Sequence, residues 1–202
     1  MRKLIAALLI AVILVTVVSM SGFASDCAQI REDILRIHVL ANSDSEGDQA
    51  LKLQVRDRIL EESAGLFEHM EDKQETMERA QEWLPDLQAA AEDEIKKQGY
   101  DYPVTVELTH MYFSTKQYDS ITMPAGDYDA VRVLIGTGEG QNWWCVMFPP
   151  LCLPVAQNHK QLTDVLNASQ MDIVQGGVKY EVKFKLVEWF EEIKAAVESW
   201  FA

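Results

Sequence analysis

The chain has 202 residues, of which 48% are hydrophobic and 25% are charged, and its formal net charge is -14 at pH 7. This hydrophobic content is typical of a folded core and excludes an intrinsically disordered chain. The acidic balance excludes nucleic acid and an anionic membrane surface as favoured partners, because both attract basic proteins.

The first 24 residues have the pattern of an export signal. Arg2 and Lys3 precede an apolar segment, residues 4–18, and Gly22 and Ala24 occupy the small-residue positions of a signal-peptidase site. As a helix this segment reaches only about 22 Å, which is shorter than the roughly 30 Å hydrocarbon core of a bilayer. We therefore predict cleavage after Ala24, with an uncleaved anchor as the alternative.

Three cysteines follow the leader, and export makes disulfides permissible. Cys145 and Cys152 lie seven residues apart, separated by two prolines, so they are the candidate bridge. The alternative is a pair of buried thiols, because spacing alone does not establish the geometry. Cys27 lies at the start of the mature chain.

The first half of the mature chain predicts one strand followed by helices. Residues 34–40 are mostly apolar and β-branched, as in a strand, and residues 49–62 contain good helix formers with an apolar repeat at every fourth position. A further helix follows, which Pro85 should break or kink. Pro85 then suits the first position of a second helical segment, and Gly99 suits its C-cap.

The second half predicts strands. Residues 104–113 alternate apolar and polar side chains, and residues 130–136 and 142–148 are two apolar strands separated by the short glycine-rich stretch 137–141. That separation predicts an antiparallel hairpin. Residues 178–185 also alternate and predict another strand.

The tail after residue 185 predicts an amphipathic helix with its apolar stripe in the core. That stripe comprises Val187, Phe190, Ile193, Val197 and Phe201. Helices in one block and strands in another indicate an α+β fold. We expect a helical N-terminal half and an antiparallel sheet in the C-terminal half, forming a single compact domain over residues 25–202.

Residues 42–48 concentrate polar side chains directly after the first strand. With Asn42 as position 1 of a calcium loop, position 12 falls on Leu53, where a bidentate glutamate is required, so we predict no calcium site. The pattern fits a helix start better. Ser45 would be the N-cap, and Asp48 at the third helical position would complete a variant of the capping box.

Catalytic and cofactor motifs are missing from the sequence. His38 with Ser43 or Cys145 and Asp44 would supply the residue types of a hydrolase, but no G-x-S-x-G or papain-like signature surrounds them. The four histidines lack metal-ligand spacing, and the glycine-rich stretch lacks the lysine and the following helix of a phosphate loop. We therefore predict no metal, no cofactor and no small-molecule substrate.

Adjacent tryptophans offer a binding surface. Trp143 and Trp144 should point to opposite faces of their strand, one into the core and one outward, where it could anchor a partner. Asn42 and Asp44, on the surface of the polar stretch, are the other candidate contact residues.

Three segments resemble the stage II sporulation protein R family: "RIHVLANSDSEGDQALKLQVRDRIL", "YFSTKQY" and "MPAGDYDAVRVLIGTGEGQNWWCVMFPPLC". The resemblance covers about residues 34–152. It implies an exported signalling protein of endospore-forming bacteria that is not an enzyme. Such a protein is made in the forespore and exported into the space facing the mother cell.

The resemblance also implies the partner, a membrane-embedded aspartic protease in the mother-cell membrane that processes the precursor of the early mother-cell sigma factor. Residues 1–24 would then be the signal peptide, and residues 25–202 the signalling domain. The chain would meet a membrane only through export or an uncleaved anchor. The alternative function is an exported hydrolase of cell-wall material that uses His38 or Cys145.

Overall fold

The structure is a computed structural model that describes residues 2–63, 70, 72–118, 121–151 and 161–201. Its helices are α1 (Arg2–Asp33), α2 (Glu46–Ser63), α3 (Lys73–Lys97), α4 (Leu162–Val165), α5 (Ala168–Gln175) and α6 (Glu181–Phe201), and a 3-10 helix spans Gly177–Tyr180. Its strands are β1 (Leu35–Leu40), β2 (Val104–Phe113), β3 (Lys116–Tyr118), β4 (Ile121–Met123), β5 (Gly126–Ile135) and β6 (Asn142–Phe148). The predicted α+β class is confirmed.

The chain forms two compact units. The sheet unit comprises residues 33–111 and 127–166, and the terminal unit comprises residues 1–32, 112–126 and 167–202. The sheet unit contains α2, α3 and most of a four-stranded sheet, whereas the terminal unit contains α1, α5, α6 and the β3–β4 hairpin.

The four strands of the sheet unit lie in the order β2-β5-β1-β6. β1 runs parallel to β5 and antiparallel to β6, so that His38 lies opposite Arg132 on one side and Trp144 on the other. The predicted hairpin between the two apolar strands β5 and β6 is therefore wrong, because β1 separates them. The loop between β5 and β6 crosses the end of β1, where the amide of Gly140 donates to the carbonyl of Ala41 at 3.0 Å.

Two helices of the sheet unit bury apolar side chains at helical spacing. α2 buries Leu51, Val55 and Ile59, as the repeat at every fourth residue predicted. α3 continues through Pro85, so the proline does not break the helix and the predicted start of a second helical segment there is wrong. Its buried residues lie on both sides of the proline and hold the two halves in one helix: Thr76, Ala80, Leu87, Ala90, Ala91 and Ile95.

The end of α3 agrees with the sequence. Gly99 has a φ of 81° just beyond the last helical turn, a left-handed conformation that glycine adopts without a steric cost. Its amide donates to the carbonyl of Lys96 at 3.0 Å, as expected of a C-terminal cap.

The core of the terminal unit includes the second half of α1. Phe23, Cys27 and Ile30 are buried, and the Phe23 ring lies 5.4 Å from the rings of both Tyr180 and Phe184. α1 continues through Ala24, the predicted cleavage position, and cleavage there stays a prediction. Within the described part of the chain, no helix has the length and apolar content that crossing a membrane requires.

Residues 178–185 are helical, so the predicted strand is wrong. The alternation is real, but Asp172 of α5 accepts hydrogen bonds from Lys179 at 2.8 Å and from Tyr180 at 2.5 Å, which holds this segment against α5. Phe184 and Val187, three residues apart, then become the buried face of α6.

The predicted core stripe of the last helix is also wrong for most of its members. Val187 is buried, but Phe190, Ile193 and Val197 are exposed. Helical periodicity therefore located a stripe of apolar residues, and only its edge faces the core. The side chain of Phe201 lies outside the described residues.

Candidate functional site

Two loops meet where the parallel strands β1 and β5 end, and together they form what we call the corner, residues 41–48 and 136–141. Asn42 joins them, because its Oδ1 accepts from the amide of Thr137 at 3.0 Å and its carbonyl accepts from the Thr137 hydroxyl at 2.9 Å. Asp44 makes a second link, since its Oδ1 accepts from the amide of Gln141 at 2.7 Å. Both candidate contact residues therefore also stabilise the corner.

Asp48 is the buried carboxylate of the corner. Its Oδ2 accepts from Asn42 Nδ2 at 2.9 Å and from the Ser43 hydroxyl at 2.5 Å. These bonds, with Ser43 the larger cause, lower the pKa of Asp48 below its usual value. The carboxylate stays charged because neighbouring donors stabilise it, and its bonding capacity is used inside the protein.

The N-cap of α2 confirms half of the predicted capping box. The Ser45 hydroxyl accepts from the amide of Asp48 at 3.1 Å, as an N-cap should. The reciprocal bond is not made, because the Asp48 carboxylate turns to Asn42 and Ser43. The amide of Ser45 donates to the Ser43 hydroxyl instead, at 3.2 Å.

Glycines allow the two loops of the corner to approach closely. A Cβ at Gly136 would lie 2.2 Å from Asn42 Oδ1, and one at Gly140 would lie 2.3 Å from the carbonyl oxygen of Ser43. Gly136 also has a φ of 59°. The glycine-rich stretch is thus explained by backbone packing against the loop after β1.

A buried lysine ties α2 to the same corner. Lys52 Nζ donates to Gln49 Oε1 at 2.6 Å and to the carbonyl of Gln141 at 2.8 Å. Burial lowers the pKa of Lys52. Nothing local in the sequence indicates this contact, because Gln141 lies 89 positions away along the chain.

Trp143 and Trp144 leave the corner along β6 and contact different neighbours. The Arg56 guanidinium of α2 lies 5.0 Å from the Trp143 ring centre, and the His38 and Trp144 rings lie 5.7 Å apart. Both tryptophans are half-buried, so neither is the core residue that the sequence predicted. Each keeps part of its indole exposed near the corner.

The two residues of the hydrolase alternative are placed unfavourably for catalysis. His38 is 4% exposed, and burial lowers its pKa to about 4 despite a hydrogen bond with Asn142. Cys145 is disulfide-bonded, so it holds no thiolate nucleophile. Its predicted partner Cys152 lies outside the described residues, and that pairing stays a prediction.

Cys27 is the free cysteine of the described residues, and it is buried in the terminal unit. Burial raises the pKa of its thiol to about 12, which leaves it protonated and unreactive.

Comparison with known proteins identifies the family. The family model described as stage II sporulation protein R matches residues 31–158. The chain belongs to the stage II sporulation protein R family. It is 32% identical over 185 residues to stage II sporulation protein R of Bacillus subtilis (strain 168), a match that covers 81% of this chain and 83% of that relative. Family membership gives the chain a role in sporulation, and no solved structure gave a significant match.

Proposed function

We propose that this protein is an exported signal that activates a membrane-embedded aspartic protease. It would leave the forespore and act in the space between forespore and mother cell. The activated protease in the mother-cell membrane would then process the precursor of the early mother-cell sigma factor. Membership of the stage II sporulation protein R family is the observation that carries this proposal.

Two features of the chain support a site of action outside the cytoplasm. The first 24 residues have the basic start, apolar segment and small residues of an export signal. Cys145 is disulfide-bonded, and structural disulfides persist in oxidising compartments.

Binding, rather than hydrolysis, suits the chemistry of the corner. Asp48 and Asn42 are engaged by internal hydrogen bonds, His38 is buried, and Cys145 lacks a free thiol. A rigid surface loses little conformational entropy when a partner binds. We propose that the exposed parts of the corner and of its two tryptophans contact the protease.

Activation by binding requires a difference in affinity between two states of the protease. A ligand shifts such an equilibrium only by its differential affinity, and about 1.4 kcal/mol shifts it tenfold. Partly exposed indole rings are suitable anchors, because tryptophan is enriched among residues that dominate binding energy. Trp143 and Trp144 are therefore the side chains most directly tested.

The test reconstitutes processing in a non-sporulating bacterium. The sigma-factor precursor and the protease are co-expressed with the full chain, and processing is followed by immunoblot. To confine the chain to the cytoplasm, Ile10→Arg and Leu14→Arg are introduced together, since both side chains are exposed on α1 and their replacement spares the packing of Phe23. Processing should require the exported chain and the protease.

The contact surface is tested with Trp143→Ala and Trp144→Ala. Each should lower processing about tenfold or more while circular dichroism shows a folded domain. Tyr112→Ala is the matched control, because Tyr112 is an exposed aromatic residue of the terminal unit and is not part of the corner. Equal processing by the confined chain, or processing without the protease, would refute the proposal, and release of cell-wall fragments by the purified chain would favour the hydrolase.

A further inference from the structure

Phe23 belongs to the leader, residues 1–24, but lies in the core of the terminal unit. Its side chain is 4% exposed, and its ring stacks on the Tyr180 ring and meets the Phe184 ring edge-on, each at 5.4 Å. Tyr180 ends the 3-10 helix and Phe184 lies in the first turn of α6. The predicted cleavage after Ala24 would therefore remove an aromatic ring that the folded unit holds between two others.

Ser19 contacts the same part of the terminal unit one helical turn earlier. Its hydroxyl accepts a hydrogen bond from Lys183 Nζ at 3.1 Å, and the same Nζ lies 5.3 Å from the centre of the Phe23 ring. Residues four positions apart lie on one face of a helix, so one face of the leader makes both contacts. We call the residues that receive this face, Tyr180, Lys183 and Phe184, the leader pocket.

Residues beyond the predicted cleavage position hold the walls of the leader pocket. The Tyr180 hydroxyl donates to Asp172 Oδ2 at 2.5 Å, and Lys179 Nζ donates to the same oxygen at 2.8 Å. Arg31, in the part of α1 that cleavage would leave, pairs with Glu191 of α6 at 3.1 Å. We therefore expect the pocket to keep its shape when the leader is removed.

Space beside Phe23 is already open. A cavity of about 210 Å³ borders the ring, and its lining includes Asp26, Ile173 and Lys183. Removal of the ring joins the volume of the ring to this cavity. The result is a concave site with apolar walls and a few polar groups, which is the usual character of a binding pocket.

We propose that cleavage after Ala24 opens the leader pocket as a binding site for an aromatic side chain of the partner. Phe23 shows which chemistry the pocket accepts, namely a flat apolar ring between two aromatic rings with an ammonium group beside it. Ser19 adds an acceptor for the ammonium group of Lys183. The partner segment that fits is therefore a helix with an aromatic residue and a hydrogen-bond acceptor four positions before it.

The identity of the partner rests on the proposed function, and the opening of the pocket rests on the predicted cleavage. Until the leader is removed, Phe23 excludes a partner from the leader pocket. A group tethered to the same chain acts at an effective concentration on the order of millimolar, so it competes strongly with a separate protein. Cleavage of the leader and activation of the protease are then coupled.

Direct binding tests the leader pocket without the protease. The cleaved chain is collected from the medium of a Gram-positive bacterium that exports it, and intact mass checks that it begins at Ser25. The probe is a fluorescein-labelled peptide of residues 18–24, and binding is followed by fluorescence anisotropy. The probe should bind saturably, and its Phe23→Ala version at least tenfold more weakly. Ser21→Ala is the matched control peptide, because Ser21 is exposed on α1.

A chain that keeps its leader should not bind the probe. Ala24 is exposed, so Ala24→Leu should retain the fold, whereas leucine at a small-residue position of the signal-peptidase site should block cleavage. Equal binding by the cleaved and the uncleaved chain, or equal binding of the Phe23→Ala peptide, would overturn the proposal. So would a cleaved chain that circular dichroism shows to be unfolded, or an exported parent chain that still carries its leader.

A substitution in the wall of the leader pocket should weaken the same binding. Lys183→Met removes the ammonium group but keeps the length of the side chain, so the cleaved variant should bind the probe several-fold more weakly while remaining folded. Lys185→Met is the matched control, because Lys185 pairs with Glu188 at 2.8 Å. Equal weakening by both variants would contradict a specific contact with Lys183.

The processing assay tests whether the leader keeps the chain inactive. The exported Ala24→Leu chain should give several-fold less processing than the parent chain, and adding Phe23→Ala should restore it, because the leader pocket is then open. Adding Ser21→Ala instead should leave processing low. Equal processing by the parent and Ala24→Leu chains, or no restoration by Phe23→Ala, would overturn the coupling. No processing by any chain would refute the proposed function, and binding of the probe would still decide whether the pocket opens.

Discussion

The corner and the exposed apolar side chains of α6 place opposite kinds of side chain in opposite environments. In the corner, polar groups turn inward, so that Asp48 is 5% exposed and bonded to Asn42 and Ser43. On α6, apolar groups turn outward, and Phe190 is 65% exposed. The polar cluster looked like a site but is mostly structural, whereas the apolar helix looked like core but presents a surface.

The difference shows that residue type alone is a poor guide to role. A buried polar group is stable only where its hydrogen bonds are satisfied, and the corner satisfies them with loops that meet from distant parts of the chain. An exposed apolar side chain is stable only because other contacts of its helix hold it there. In both regions, the contacts that surround a side chain decide whether it is buried or exposed.

The largest expected effect comes from comparing a substitution on the buried face of α6 with one on its exposed face. Phe184→Ala removes a buried ring and should lower the free energy of unfolding by about 3–5 kcal/mol. Phe190→Ala, at a side chain that is 65% exposed, should change it by less than about 0.5 kcal/mol. Urea unfolding followed by circular dichroism measures both, and similar losses would show that Phe190 belongs to the core.

The pH dependence of the free energy of unfolding tests whether His38 is buried in the sheet unit. Burial lowers its folded-state pKa from 6.5 to about 4, so the unfolded chain binds a proton that the folded chain does not. Stability should therefore fall by about 3 kcal/mol as the pH drops from about 6.5 to 4. Unfolding measured at several pH values should show this loss, and His38→Leu should remove most of it.

The contribution of Asp48 lies outside that window. Its pKa is lowered, so its stabilisation is lost only as the pH falls below the ordinary carboxyl range. If the loss of stability between pH 6.5 and 4 persists in His38→Leu, titratable groups other than His38 cause it.

The glycines test whether close approach of the two loops maintains the corner. Gly140→Ala places a Cβ 2.3 Å from the backbone of Ser43 and should lower the free energy of unfolding by about 1–3 kcal/mol. Gly47→Ala is the control, because its Cβ meets only the end of the Tyr100 side chain and alanine favours the helix. Equal effects at both positions would contradict the packing argument.

Local features of the fold could be predicted from sequence. β1 and α2 followed from apolar periodicity, and Ser45 and Gly99 followed from the chemistry of helix ends. Each depends on neighbours within about four residues, which the sequence displays directly.

Long-range features could not be predicted in the same way. β1 lies between β5 and β6 because of pairings that span 94 residues to β5 and between 102 and 113 residues to β6, and the contact of Asn42 with Thr137 spans 95. Residues 178–185 alternate like a strand, but Tyr180 is held by Asp172 and the segment is helical. Periodicity identified the apolar residues of α6 without indicating which face the rest of the unit covers.

The smallest expected effect concerns Asp44, where the corner reaches the surface. Asp44→Ala removes the acceptor for the Gln141 amide and should lower the free energy of unfolding by about 1 kcal/mol. Asp44→Asn keeps an oxygen at that position and should lose less than half as much. If Asp44 also contacts the protease through its charge, both variants should reduce sigma-factor processing to a similar extent. Processing reduced only by the alanine variant would instead assign Asp44 to the architecture of the corner.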